Sequence, residues 1–340
     1  MDYVVSVWKE ENKVKKGIIY LITIVLIFSV LIGIISTVNK PKDNNSGRIK
    51  VIATIFPQYD FAKKIGGDKV DVSLLLTPGT ETHSYEPTPQ DIINVNKASL
   101  FIYTGENMEP WAEKIVQGID SDTVVLDASK NIELKSSHDD EEHNEHNHDE
   151  EDNDKNNENE HHHEHEFDPH IWLDPQNAVI MVKNITEELC NIDSENTEYY
   201  KQNAEKYIQE LNALDSEIQN TINESKTNKV AFGGTFAYMY FVERYNLDYV
   251  TAYDSCGEDT EPSVSNVKKV IDYINTNKLP IVFYQEHSAG KIADSIAAET
   301  GAKKLVFHTV HNVSSQELAD NESYISIMKK NLENLKTALN

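Results

Sequence analysis

Cysteine is nearly absent from this 340-residue chain, occurring only as Cys190 and Cys256. Two distant cysteines exclude a disulfide framework, and the paired thiolates of a structural zinc site are missing too. A single Cys190–Cys256 bridge and a lone thiolate ligand in Asp254-Ser255-Cys256-Gly257-Glu258 both stay open. Clustered Lys and Arg are lacking as well, and the formal net charge is −26, which argues against binding nucleic-acid phosphates. No His-Glu-x-x-His motif or nucleophile arrangement marks a hydrolase, and no internal repeat is obvious.

Long apolar runs are also scarce, with one exception. Gly17–Val38 holds 22 residues without a charge and follows Lys9, Lys13, Lys15 and Lys16. That length spans a bilayer as a helix and exceeds the roughly 7–15 residues of a signal-peptide core. The basic flank predicts a cytoplasmic start, so the rest of the chain is expected outside. The run is followed by a polar linker, Asn39–Gly47, with neither an Ala-x-Ala cleavage site nor a cysteine for lipid attachment. The expectation is one uncleaved N-terminal anchor in the cell membrane, with a cleaved signal segment as the alternative.

The remainder alternates short strands with helices, the pattern of α/β lobes with mainly parallel sheets. In residues 48–175, strands are expected over 49–56, 70–76, 100–104 and 123–127, with helices over 59–65, 91–98 and 109–118. Residues 176–228 follow helical spacing. Asp193-Ser194 is a candidate cap for a second helix of about thirty residues there, long enough to serve as a strut between lobes. In residues 229–340, strands are expected over 229–234, 248–253, 280–284 and 304–308. Helices are expected over 238–245, from 263 to 275, and over 290–300 and 324–339.

Into the first lobe is set a low-complexity acidic, His-rich loop, 136–166, that is unable to bury a core. Between Asp139 and Glu166 lie fourteen acidic residues against one lysine, half of the chain's formal charge. Nine of the thirteen histidines fall between 138 and 170. Imidazoles among carboxylates collect transition-metal ions, and such collection weakens as pH falls below about 6.5. A solvated charge run is the bland alternative. Five histidines stand apart from this tract at expected strand ends or in loops: His83, His170, His287, His308 and His311. Ligands bind beyond the carboxyl ends of such strands, so a cation gripped from both lobes is expected there.

The motifs Pro78-x-x-x-x-His83-x-Tyr85-Glu86-Pro87-Thr88-Pro89-x-Asp91 and Asp168-Pro169-His170-x-Trp172-Leu173-Asp174-Pro175 closely resemble the metal-binding solute-binding proteins of zinc and manganese ABC importers. This is the cluster A-I family with a His-rich loop, and the likeness runs from about Arg48 to Asn340. It implies two α/β lobes bridged by one rigid helix, with the ion between them. It also implies a monomer that serves a membrane permease and performs no covalent chemistry. The family's first two ligands map onto His83 and His170. Its third, a His or Glu, falls on Thr235, a poor substitute for imidazole, and its fourth falls near His308. The expected ligand set is therefore His83, His170, Glu286 and His308, with His287, His311, Glu258, Glu261 or water as further candidates. Zn2+ is the expected cargo, with Mn2+ behind it. Asp168 or Asp174 is expected either to orient His170 or to cap turns. Trp172, Tyr85 and Phe236–Phe241 are expected to pack the lobes or wall the site. The functional alternatives are a metal-buffering surface protein or adhesin without a permease, and a zinc hydrolase with Glu286 as general base.

Overall fold

The computed structural model describes residues 47–120, 122–136, 167–253 and 262–340. The expected anchor, most of the His-rich loop, Cys256, Glu258 and Glu261 lie outside the described residues, and so does the proposed cysteine bridge.

Arg48–Asn340 forms one unit, built on two sheets of four strands. The first sheet comprises β1 (Ile49–Ala53), β2 (Val70–Leu74), β3 (Leu100–Tyr103) and β4 (Val124–Asp127) in the order β2-β1-β3-β4. The second comprises β5 (Lys229–Phe232), β6 (Asp248–Thr251), β7 (Ile281–Tyr284) and β8 (Lys303–Val306) in the order β6-β5-β7-β8. Every pairing is parallel, with Ile49 opposite Val70 and Lys229 opposite Asp248 at the starts of two ladders. Each chain order doubles back once, between β1 and β3 and between β5 and β7, where such sheets open a crevice at their carboxyl ends.

Several strands stop short of their expected ends, where side chains join or replace the backbone partners. The N–H of Thr54, just past β1, donates to the carbonyl of Ile102 and meets the Gln58 carboxamide oxygen at 3.1 Å. Past β8, the N–H of His308 donates to the Asn331 side chain at 2.7 Å. These turns carry the chain out of the sheets and toward the cleft.

Helices cover the sheets: α1 (Phe56–Gly66), α2 (Pro89–Val95) and α3 (Ala112–Gln117) in the first lobe, and α6 (Met239–Arg244), α7 (Val264–Asn277), α8 (Lys291–Thr300), α9 (Ser315–Ala319) and α10 (Tyr324–Ala338) in the second. Between the lobes run α4 (Pro175–Ile192) and α5 (Thr197–Glu224). The 28 residues of α5 make a rod about 42 Å long. It buries Tyr200, Ala204, Tyr207, Leu211, Leu214, Ile218 and Ile222 as one stripe, and each fully buried Leu or Ile there contributes about 1.5–3 kcal/mol. The helix begins after a short 3-10 turn, Ser194–Asn196. Asp193 accepts from Asn196 Nδ2 and Tyr200 Oη instead of capping a backbone N–H.

The stripe belongs to a core that runs without a break from Phe61 and Phe101 of the first lobe to Phe232, Phe283 and Phe307 of the second. Among the described residues, the α7–α8 side of the second sheet keeps a separate cluster, around Val270, Val282 and Ile296. Because the lobes share packed side chains, large independent movement of either would have to break that core.

Candidate metal centre

Three imidazoles from separate stretches of chain meet in the cleft. The ring centroids of His83 and His170 are 5.5 Å apart, those of His170 and His311 6.0 Å, and those of His83 and His311 6.3 Å. Nitrogen donors at about 2.0–2.1 Å from one ion place imidazole centroids slightly closer than this. Among the described residues, no three donor groups already converge at coordination distance.

His83 sits on the loop after β2, which opens with the turn Thr77-Pro78-Gly79-Thr80. Pro78 presets φ at the first central position, Gly79 takes a left-handed φ of 81°, and the Thr80 N–H donates to the Thr77 carbonyl at 3.1 Å. Further along, Trp111 Nε1 donates to the Thr82 carbonyl at 2.7 Å, and the His83 N–H donates to Glu81 Oε1 at 2.9 Å.

His170 follows Asp168-Pro169, where the chain re-enters beside Lys135: the Asp168 N–H donates to the Lys135 carbonyl, and Ser136 and Phe167 form an isolated bridge. Asp168 Oδ1 receives the His170 backbone N–H at 2.8 Å and lies 3.0 Å from His170 Nδ1. An ionised carboxylate only accepts, so Nδ1 carries the proton and Nε2 keeps its lone pair. Asp174 has the other role foreseen for this pair, capping α4 through the Gln176 N–H at 2.8 Å and facing Arg244 at 3.6 Å. Trp172 is fully buried and donates from Nε1 to the Thr309 carbonyl at 2.7 Å, so it both packs the lobes and ties them.

His311 is presented by the second-lobe turn 308–311. Val310, a β-branched residue, sits at φ 66°, a conformation it adopts only under constraint. The Val310 N–H donates to His308 Nδ1 at 2.8 Å, holding that turn. Behind His311 runs a relay. Glu286 Oε2 accepts the Thr309 N–H at 2.8 Å, its Oε1 accepts the Thr309 hydroxyl, and Thr309 Oγ1 pairs with His311 Nδ1. With the hydroxyl proton given to Glu286, Thr309 Oγ1 accepts from Nδ1–H, and the His311 lone pair is again on Nε2. Burial first, then the neighbouring His170, His83, His308 and His287, push the His311 pKa well below 6.5. The ring is held neutral, the state that binds metal.

The three histidines and one glutamate singled out after β7 and β8 thus fall in different places. Glu286 stands behind His311, with both oxygens engaged by Thr309. His308 lies 3.5 Å from Glu286 Oε1 through Nδ1 and 3.5 Å from Glu317 Oε1 through Nε2. Since Nδ1 accepts from Val310, a neutral His308 has its proton on Nε2, facing Glu317. The His308 ring beside it holds the Glu317 carboxyl down at about 2. His287 is exposed, at φ 58°, with its ring 6.3 Å from that of His308. Thr235 lies at the crevice between β5 and β7, its hydroxyl bonded to Gln285 Oε1. Tyr85 packs edge-on against Trp111 at 4.9 Å, and Phe236 stacks on Tyr249 at 4.8 Å.

Thr309 and Trp111 carry no signal in the sequence, since their partners Glu286 and Thr82 are distant in the chain. For His311 there was a signal, its position three residues beyond His308 at a strand end.

Residues 51–338 match the family described as zinc-uptake complex component A, periplasmic. The high-affinity zinc uptake system protein ZnuA of Bacillus subtilis is 36% identical over 298 residues, covering 87% of this chain and 89% of the relative. The crystal structure of the metal-dependent lipoprotein YcdH from Bacillus subtilis superposes with a TM-score of 0.71 at 32% identity, covering 86% of this chain and 99% of that one. The zinc-binding lipoprotein AdcA of Streptococcus pneumoniae is 29% identical over 300 residues, covering 85% of this chain and 56% of AdcA, so the chain spans about half of that relative. The Zn(II)-bound ZnuA-like domain of AdcA superposes with a TM-score of 0.69 at 27% identity, covering 86% of this chain and 99% of the domain.

Proposed function

The chain belongs to the zinc-uptake complex component A family, and from that premise we propose that His83, His170 and His311 hold the ion it carries. It is the substrate-binding component of a metal ABC transporter, capturing zinc between two lobes for delivery to a membrane permease. The observation that carries the ligand reading is the meeting of three imidazoles from both lobes, two of them with their tautomer set from behind by Asp168 and by Glu286 through Thr309.

Three neutral nitrogens suit zinc and leave a fourth tetrahedral position for solvent. Manganese favours oxygen-rich, six-coordinate surroundings, so this donor set disfavours it. The ion's charge is balanced at one remove by Asp168 and Glu286. In this reading Glu286 acts through His311, and His308 braces the turn that presents it.

The His-rich tract leaves the fold at Ser136 and returns at Phe167, three residues before His170. That placement supports a collecting role, raising the zinc concentration at the mouth of the cleft. Gly17–Val38 serves as the membrane anchor that keeps the folded part outside the cytoplasm, and the protein works as a monomer.

Zinc and manganese titrations of the wild type and of His83→Ala, His170→Ala and His311→Ala test the ligand set. The expected result is one tight zinc equivalent, weaker manganese, and loss of tight binding in each variant. Unchanged zinc affinity in His311→Ala would contradict it. Deletion of 138–165 is expected to remove weak equivalents and keep the tight one.

A further inference from the structure

The second-lobe turn that carries His311 continues into a residue whose side chain reaches across the cleft. Asn312 is 4% exposed. Its Oδ1 accepts the N–H of Val313 at 2.8 Å, which fixes the carboxamide to its own lobe. The same oxygen accepts the N–H of Gly79 at 3.1 Å, and Nδ2 donates to the carbonyl of Thr80. Asn312 therefore grips the tip of the turn Thr77-Pro78-Gly79-Thr80, on the loop that leads to His83. Gly79 is required there by its φ of 81° and not by space, since a Cβ would meet nothing within 4 Å.

The loop is consequently held from two sides. Trp111, of the first lobe, pins Thr82, while Asn312, of the second, pins Gly79 and Thr80. Two further bonds fasten the 308–313 segment to the opposite side of the cleft: the Phe56 N–H donates to the His311 carbonyl at 3.0 Å, and Trp172 Nε1 donates to that of Thr309. Those two hold the second-lobe turn in place. Only the Asn312 carboxamide, among these contacts, reaches from the His311 turn to the His83 loop.

We propose that Asn312 is a positioning residue for ion retention, a latch that keeps the His83 loop closed over the cleft and so sets the rate at which zinc leaves. The proposal rests on the reading of His83 and His311 as ligands. An ion approaching before the latch forms meets His170 and His311 already in place, so capture depends little on Asn312. Departure requires the His83 ring to withdraw, and its loop cannot withdraw freely while the turn is gripped. Residues that act on a formed contact shift dissociation more than association.

The experiment is stopped-flow zinc exchange on the wild type, Asn312→Asp, Asn312→Ala and His83→Ala, and on Asn312→Asp combined with His83→Ala. Asn312→Asp keeps both acceptor bonds and replaces the donor to Thr80 with an oxygen that repels that carbonyl, so it tests the latch with the Val313 anchor intact. The expected results are zinc release about tenfold faster in Asn312→Asp and at least as fast in Asn312→Ala, with association nearly unchanged. Adding Asn312→Asp to His83→Ala is expected to bring no further acceleration, because the latch acts through His83. Unchanged release in Asn312→Asp, or an equal acceleration in the His83→Ala background, overturns the latch while the ligand reading stands. If His83→Ala itself releases zinc at the wild-type rate, the ligand reading fails, and the latch fails with it. The melting temperature of the zinc-free protein is read alongside. An acceleration matched by loss of the apo fold, and by slowed association, would also overturn the proposal, assigning Asn312 to general stability.

Discussion

Glu109 in the first lobe and Glu286 in the second are both buried carboxyl groups, and each pairs with one backbone N–H and one threonine hydroxyl. Glu109 is held by the Thr104 N–H and the Thr54 hydroxyl, Glu286 by the N–H and hydroxyl of Thr309. What lies beyond the hydroxyl differs. Thr54 Oγ1 also meets the Gln58 carboxamide oxygen at 2.9 Å, and the network closes on itself through Gln58 Nε2 and Thr104. Thr309 Oγ1 goes on to His311 Nδ1. The same grip thus closes within the fold in one lobe and, in the proposed ligand set, backs an ion-binding imidazole in the other. The distinction is set by whether an imidazole stands at the end of the chain of bonds. Burial pushes the Glu109 carboxyl up to about 8, so it keeps its proton at neutral pH, as an acid with no cation beside it should.

The sharpest way to break this comparison is to exchange the outcomes of the two glutamates. Glu286→Gln is expected to weaken zinc binding about 10–100-fold, the usual cost of losing a partner behind a metal-bound histidine. Glu109→Gln should leave zinc affinity within about twofold. Calorimetric titration of both variants checks the pair, and equal effects would dissolve the contrast. Thr309→Val removes the hydroxyl between Glu286 and His311, and a loss of affinity similar to that of Glu286→Gln is expected, with Thr309→Ser restoring most of it. An unaltered Thr309→Val would show that Glu286 does not work through this relay.

Stability sharpens the comparison from the other side. Glu109 titrates near 4.5 in the unfolded chain and about 8 in the fold. Below pH 4.5 both states hold the proton and no penalty arises. As pH rises from 4.5 to 8 the unfolded state binds fewer protons than the folded one, so stability falls by a few kcal/mol and then levels off. Glu109→Gln should lack that decline, which thermal melts of the zinc-free protein across pH 4–9 would reveal. The smallest effect belongs to Glu317, a partly exposed group held down at about 2 by His308 and the α9 cap at Ser314. Its contribution is present above 4.5 and lost as pH falls toward 2, and Glu317→Gln should flatten only that acid limb.

The two halves of the cleft also differ in how much of them could be read from the chain. The alternation of strands and helices gave both sheets, and the stripe from Tyr200 to Ile222 gave the long helix, because those patterns are local. His83 and His170 were legible for a related reason. A Pro-Gly turn and an Asp-Pro-His step fix backbone geometry within a few residues, and Asp168 reaches the imidazole two positions on. The second-lobe half is assembled from Glu286 and Thr309, which lie on different strand ends. It depends on a β-branched residue, Val310, in a left-handed conformation that no propensity anticipates. That single φ turns His311 toward His83 and His170 and leaves His308 facing Glu317. Thr235, which the resemblance places at the third ligand position, directs the reading to Glu286 and His308 with His311 among the further candidates; the proposed set takes His311, because its ring is the one beside those of His83 and His170.

The most direct test is anomalous diffraction at the zinc edge from crystals of the zinc-loaded protein. A single strong peak within coordination distance of His83, His170 and His311, with Glu286 one residue behind and none at His308, is the result this account predicts. A peak held by His308 and Glu317, or a cleft without zinc while the protein retains a tight equivalent, would contradict it.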